Sequence, residues 1–135
     1  MRSRGFTLIE LMVVVVIVAI LIGIAYPAYV DQMRKTRRSE GKAMLMEVMS
    51  AQERHYTENG SYTLNFTQLG YGNATSVMSD GGWYKVTASQ CGSDSLKVCV
   101  QLSAAPQGAQ ASDPCGTLTL DSRGNKGPST AGCWD

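Results

Sequence analysis

Between Leu11 and Val30 the chain runs for 20 residues without a charged side chain. As a helix, such a stretch rises about 30 Å, one bilayer core. A secretory signal peptide has a shorter apolar core of about 7 to 15 residues followed by a small-residue cleavage site, so this run reads as a membrane-length segment. From Asp31 onward ten Lys/Arg balance ten Asp/Glu. That leaves about a hundred residues, enough for one soluble domain without a second hydrophobic core. A hydrophobic share of 44% argues against a disordered chain, and the neutral balance argues against a strongly basic nucleic-acid coat protein.

Glu10 stands at the edge of the apolar run, where a carboxylate is expensive unless something pairs with it. A plain anchor leaves it unexplained. The local string is a short basic leader, MRSR, then Gly5-Phe6-Thr7-Leu8-Ile9-Glu10, then the apolar stretch. From Gly5 to about Pro27 it resembles the class III signal of type IVa pilins, in particular the short-leader kind with a Phe start. The resemblance implies cleavage between Gly5 and Phe6 by a prepilin peptidase on the cytoplasmic side, and N-methylation of the new amino-terminal Phe6. Cutting there creates an ammonium four residues upstream of Glu10. In pilin-like assembly the Glu10 carboxylate then meets the Phe6 amino terminus of a neighbouring subunit, a buried pair that specifies register. Gly5 lacks a Cβ and lets the backbone lie in a protease cleft.

The implied partners are other pilin subunits through the N-terminal helix, the prepilin peptidase and methyltransferase, an inner-membrane assembly platform, and the membrane itself before assembly. The expected course is a single-pass inner-membrane precursor with its head in the periplasm, then an extracellular pilus. Counting cations points the other way: Arg2 and Arg4 precede the span, whereas Arg34, Lys35, Arg37 and Arg38 follow it, which by the positive-inside rule alone keeps the head cytoplasmic. The cysteines and the leader place it outside.

The expected organisation is a leader at 1–5, a hydrophobic membrane and assembly helix at 6–30, an amphipathic helix at 31–58, and a globular region at 59–135. Gly41, Met44, Leu45, Val48, Ala51 and His55 recur at steps of three and four, the spacing of one buried helix face. Met44, Met46 and Met49 read as core, and the single histidine as a packing residue. Pro27 cannot donate to the Gly23 carbonyl, so a bend or an unwound stretch is expected between them. Asn59-Gly60 reads as the helix stop. Beyond a loop at 61–82, strand candidates lie at 83–88, 96–102 and 117–120, with Leu96, Val98, Val100 and Leu102 on one core face. The fold class is therefore α+β, a long N-terminal helix packed on a three- or four-stranded antiparallel sheet, similar to type IV pilins.

Cys91, Cys99, Cys115 and Cys133 are separated by 7, 15 and 17 residues. Zinc sites need closer ligand pairs, so no metal or other cofactor is expected and two disulfides are. Gly92-Ser93-Asp94-Ser95 is a turn around which Cys91 and Cys99 stand symmetrically, although four cysteines allow three connectivities. The Cys115 to Cys133 stretch resembles the disulfide-bounded carboxyl-terminal loop of type IV pilins, and Cys133-Trp134 resembles minor pilins. No paired carboxylates, Ser/His/Asp set or phosphate loop can be assembled, so no enzyme is expected. The leading reading is a type IV pilus subunit of the minor kind, incorporated into the filament or priming its assembly, with roles in motility, adhesion or DNA uptake implied by the resemblance. The alternatives are a pilin-like DNA receptor of the competence type and a type II secretion pseudopilin. Residues 39–135 carry six Lys/Arg against nine Asp/Glu, so DNA binding requires a local patch such as Arg123 and Lys126.

Overall fold

Residues 4–135 are described by a computed structural model. Leader residues Met1 to Ser3, Arg2 among them, lie outside the described residues. Helix α1 spans Leu8–Asn59. Its start is fixed by Thr7, whose hydroxyl accepts from the Glu10 N–H at 3.3 Å and whose carbonyl accepts from the Leu11 N–H at 3.2 Å. A side-chain oxygen at this position satisfies one of the donors that a first turn leaves without an internal partner. At the far end Gly60 takes φ 72°, a left-handed conformation that glycine enters without a Cβ clash. Of the bend or unwound stretch expected between Gly23 and Pro27, the unwinding does not occur, since the helical backbone is continuous through both. Proline removes one donor, while the bonds of the turns on either side persist.

The chain divides after Met33 into two units. In the first, every large apolar side chain from Phe6 to Tyr29 is at least 46% exposed. The most apolar window of α1 has a mean hydropathy of 3.1 and is long enough to cross a membrane. Among the described residues of this unit no side chain is buried, so its apolar surface is left for a partner to cover.

The second unit, Arg34–Asp135, packs the remainder of α1 on a five-stranded antiparallel sheet in the order β1-β2-β3-β4-β5, comprising Val77–Met78, Tyr84–Gln90, Val100–Pro106, Leu118–Asp121 and Lys126–Gly127. Alternation places Tyr84, Val86, Leu102, Ala104, Leu118 and Leu120 on the inner face, against Met44, Leu45 and Val48 of α1 and Phe66 of the connecting loop; Val100, also buried, continues the same face of β3. The helix lies close on the sheet at Gly41, where a Cβ would lie 2.8 Å from the Tyr84 ring. The helix can lie this low on the sheet because the residue has no side chain.

Several expectations need correction. The sheet has five strands rather than three or four; the two-residue edges β1 and β5 are too short to show any alternation in the sequence. The second candidate strand, expected from residue 96, starts at Val100, four residues later. Ser95 to Val98 form a turn, the Ser95 carbonyl accepting from the Val98 and Cys99 N–H groups, so Val98 is 56% exposed and Cys99 is buried. Met46 points away from the core and is 49% exposed. His55 is half-buried, with Nδ1 2.8 Å from the Ser61 carbonyl.

Candidate functional site

Gly5 and Phe6 precede the first turn of α1, and the Phe6 side chain is 82% exposed. No atom lies within 4 Å of a Cβ built on Gly5, so nothing in the described chain demands a glycine there. Glu10, exposed in the first helical turn, sits where the helix dipole favours a carboxylate.

The four cysteines form two disulfides, Cys91–Cys99 and Cys115–Cys133, with Cα atoms 5.6 and 5.8 Å apart. The first follows from register: Gln90 faces Val100 as the last pair of β2 and β3, which leaves Cys91 and Cys99 adjacent at the loop end of the hairpin. Near their sulfurs lies the Asp121 carboxylate. Sulfurs bonded to each other present no thiolate to a metal. Asp121 instead accepts from the Arg123 and Asn125 N–H groups and from Asn125 Nδ2 at 2.8–2.9 Å, closing the turn after β4. Burial raises its pKa, but these hydrogen bonds outweigh it and hold the carboxyl below its ordinary value.

Three buried polar groups escaped the sequence reading. Arg38, with its side chain 9% exposed, forms a two-pronged ion pair with the fully buried Asp113 at 2.9 and 2.5 Å. Its other nitrogen donates to the Gly132 carbonyl at 3.1 Å. Gln110 donates to the Tyr84 hydroxyl at 3.0 Å and to the Arg34 carbonyl at 3.1 Å. Burial raises the Tyr84 pKa. For Asp113 burial also pushes upward, but the Arg38 hydrogen bond and charge prevail and the carboxyl lies below its usual range. Gln52, the third group, exchanges two bonds with the Thr63 backbone, at 2.7 and 3.0 Å, and ties the loop after α1 back to the helix. The signal was positional: Arg38 and Gln52 fall on the Gly41 to Ala51 stripe at helical spacing.

Several other cations of this unit have partners. Arg34 donates to the Ser112 hydroxyl at 3.0 Å, and the Arg37 guanidinium lies 3.7 Å from the Trp83 ring centroid. Arg123 and Lys126, the basic pair expected from the sequence, engage different groups. Arg123 pairs with Asp94 at 2.7 Å. Lys126 lies over the Trp134 ring at 5.3 Å, where Lys42 of α1 also lies, at 5.8 Å.

Residues 1–26 match the prokaryotic N-terminal methylation motif, and residues 27–119 match the family described as type IV minor pilin ComP, DNA uptake sequence receptor. The type IV major pilin protein PilA of Myxococcus xanthus is 39% identical over 70 residues, which is 52% of this chain and 32% of that protein. A fimbrial protein of Neisseria meningitidis is 38% identical over 75 residues, 56% of this chain and 44% of that protein. The matched segments thus span less than half the length of these relatives. Among solved structures, a type IV pilin from Shewanella oneidensis is 30% identical, covering 76% of this chain and 98% of that one, with a TM-score of 0.56.

Proposed function

The chain belongs to the type IV pilins, and from that premise we propose that it is a minor pilin, built into a type IV pilus after leader removal. The observation that carries this reading is the unbroken apolar surface from Phe6 to Tyr29, exposed along its whole length. In the precursor, lipid covers it and the head stands in the periplasm. In the filament, the same surface packs among the equivalent helices of neighbouring subunits. A prepilin peptidase cuts between Gly5 and Phe6, and the new Phe6 amino group is methylated. Glu10 is the one carboxylate at the start of that surface. It pairs with the Phe6 ammonium of an adjacent subunit, since a lone charge in an apolar filament core is far costlier than a pair. The assembly platform of the inner membrane supplies the site where the pair forms. The minor rather than major role is supported by the minor-pilin description of the family matched over 27–119.

The test is incorporation of Glu10→Ala. The variant is expected to insert and be processed like the wild type, because the partner of the carboxylate exists only in the assembly. In sheared pili it should be depleted, as read by quantitative mass spectrometry of peptides beginning at methylated Phe6. Entry at the wild-type ratio under matched expression refutes the role given to Glu10. Absence of the wild-type chain from pili, with its N-terminus still at Met1, refutes the assignment as a whole.

A second reading, a receptor for DNA, is favoured by the description of the same matched family. It predicts salt-sensitive binding of duplex DNA by the full chain in detergent.

A further inference from the structure

Residues 39–135 carry a net charge of minus three, yet one small area of this region gathers cations around an indole. Lys42 of α1 and Lys126 of β5 approach the Trp134 ring from separate elements, at 5.8 and 5.3 Å from its centroid. The ring is held in place, its Nε1 donating to the Gly127 carbonyl at 2.7 Å and its chain neighbour Cys133 bonded to Cys115. Arg38 reaches the same segment through the Gly132 carbonyl. We propose that Lys42, Lys126 and Trp134 form a contact site for the sugar-phosphate backbone of duplex DNA. The two ammoniums bind phosphate oxygens, and the indole is the apolar plate on which the intervening sugar rests.

This proposal rests on the DNA-receptor reading and gives it a location. Two lysines from different elements stand at one rigid aromatic ring. Their own attraction to the indole is a weak, exposed cation–π contact that a phosphate can replace. Like charges crowd there: burial first, then the Arg38 charge and that of Lys126, hold the Lys42 ammonium below its usual pKa, with Asp135 opposing. A polyanion relieves that crowding. A carboxylate-bearing peptide would satisfy the charges but leaves the indole without a partner, whereas a nucleic-acid backbone presents charge and an apolar sugar in alternation. Such contacts position the duplex and carry no sequence information.

The experiment measures binding of a fluorescein-labelled duplex by the full chain in detergent, by anisotropy, across 50 to 200 mM salt. Each phosphate contact contributes about 0.9 to the slope of log K against log salt. Lys42→Gln with Lys126→Gln should therefore lower the slope by about 1.8, equally for two unrelated sequences, and the wild-type advantage should shrink about tenfold across that salt range. Lys85→Gln with Lys97→Gln removes the same charge from exposed positions elsewhere and should leave the slope larger than the first pair does. An unchanged slope in the first pair, with the wild type binding DNA, overturns this site but leaves the DNA-receptor reading standing. No DNA binding by the wild type overturns both. A third arm places the chain in nanodiscs without DNA, in a Trp83→Phe background. Trp134 emission that shifts only with anionic lipid, through Lys42 and Lys126, while the DNA slope is unaffected, overturns the proposal in favour of a lipid headgroup.

Discussion

Replacing Asp113 by alanine strands the Arg38 guanidinium in a site where its side chain is only 9% exposed. Two charge-assisted bonds vanish at once. Breaking a buried pair from one side costs about 3–5 kcal/mol. For a unit of about a hundred residues, 1 kcal/mol corresponds to about 4–8 °C, so the Tm should fall by roughly 12–40 °C. By contrast, the Arg123–Asp94 pair has side chains 50% and 40% exposed, and its loss should cost no more than about 1 kcal/mol. The assay is thermal unfolding of the full chain in detergent, followed by circular dichroism. Replacing both partners, Arg38→Met with Asp113→Leu, should recover most of the loss because no charge remains buried. The pH dependence has a definite sign. The folded Asp113 carboxyl lies below its ordinary value, so its contribution is complete above the unfolded pKa of about 3.9 and is lost as pH falls from there through the folded value. A Tm for Asp113→Ala within about 4 °C of the wild type, about 1 kcal/mol, would refute the reasoning.

Gly41→Ala puts a methyl 2.8 Å from the Tyr84 ring. It should destabilise by about 1–3 kcal/mol in urea titrations, despite the better helix propensity of alanine. Cys115→Ser with Cys133→Ser opens a loop of sequence separation 18 and should cost about 3 kcal/mol. Non-reducing peptide mapping of the wild type should recover a Cys115 to Cys133 peptide. On the proposed reading Gly5→Leu should leave the chain uncleaved, and the open space around Gly5 means the substitution meets no clash within the chain. Intact mass of the membrane fraction checks this, and a processed chain starting at Phe6 defeats it.

How much was legible in the sequence depended on whether a residue obeyed the pattern around it. The helix face from Gly41 to Ala51 is one stripe of small and apolar residues, and it is buried as its spacing implies. Strands β2 and β4 alternate over enough positions to be recognised. Reasoning by polarity fails where charge is buried with a distant partner. Arg38 and Asp113 lie 75 positions apart, and each alone looks like a surface residue. Alternation also misleads at Leu96 to Cys99, where a local turn and a disulfide reverse which side chains face inward. Edges two residues long carry no period at all.

The reach of Arg38 has a consequence for the order of events during synthesis. Its partners come 75 and 94 positions later, at Asp113 and Gly132. At about 5–20 residues per second, Gly132 follows Arg38 out of the ribosome after roughly 5–20 seconds. For that interval Asp113 and Gly132 are not both available to Arg38, and the sheet that closes over the helix face is unfinished. Folding of this unit is therefore a late, nearly all-at-once step governed by long-range contacts. Chains halted before residue 113 should present an uncovered, charged helix face to chaperones and proteases.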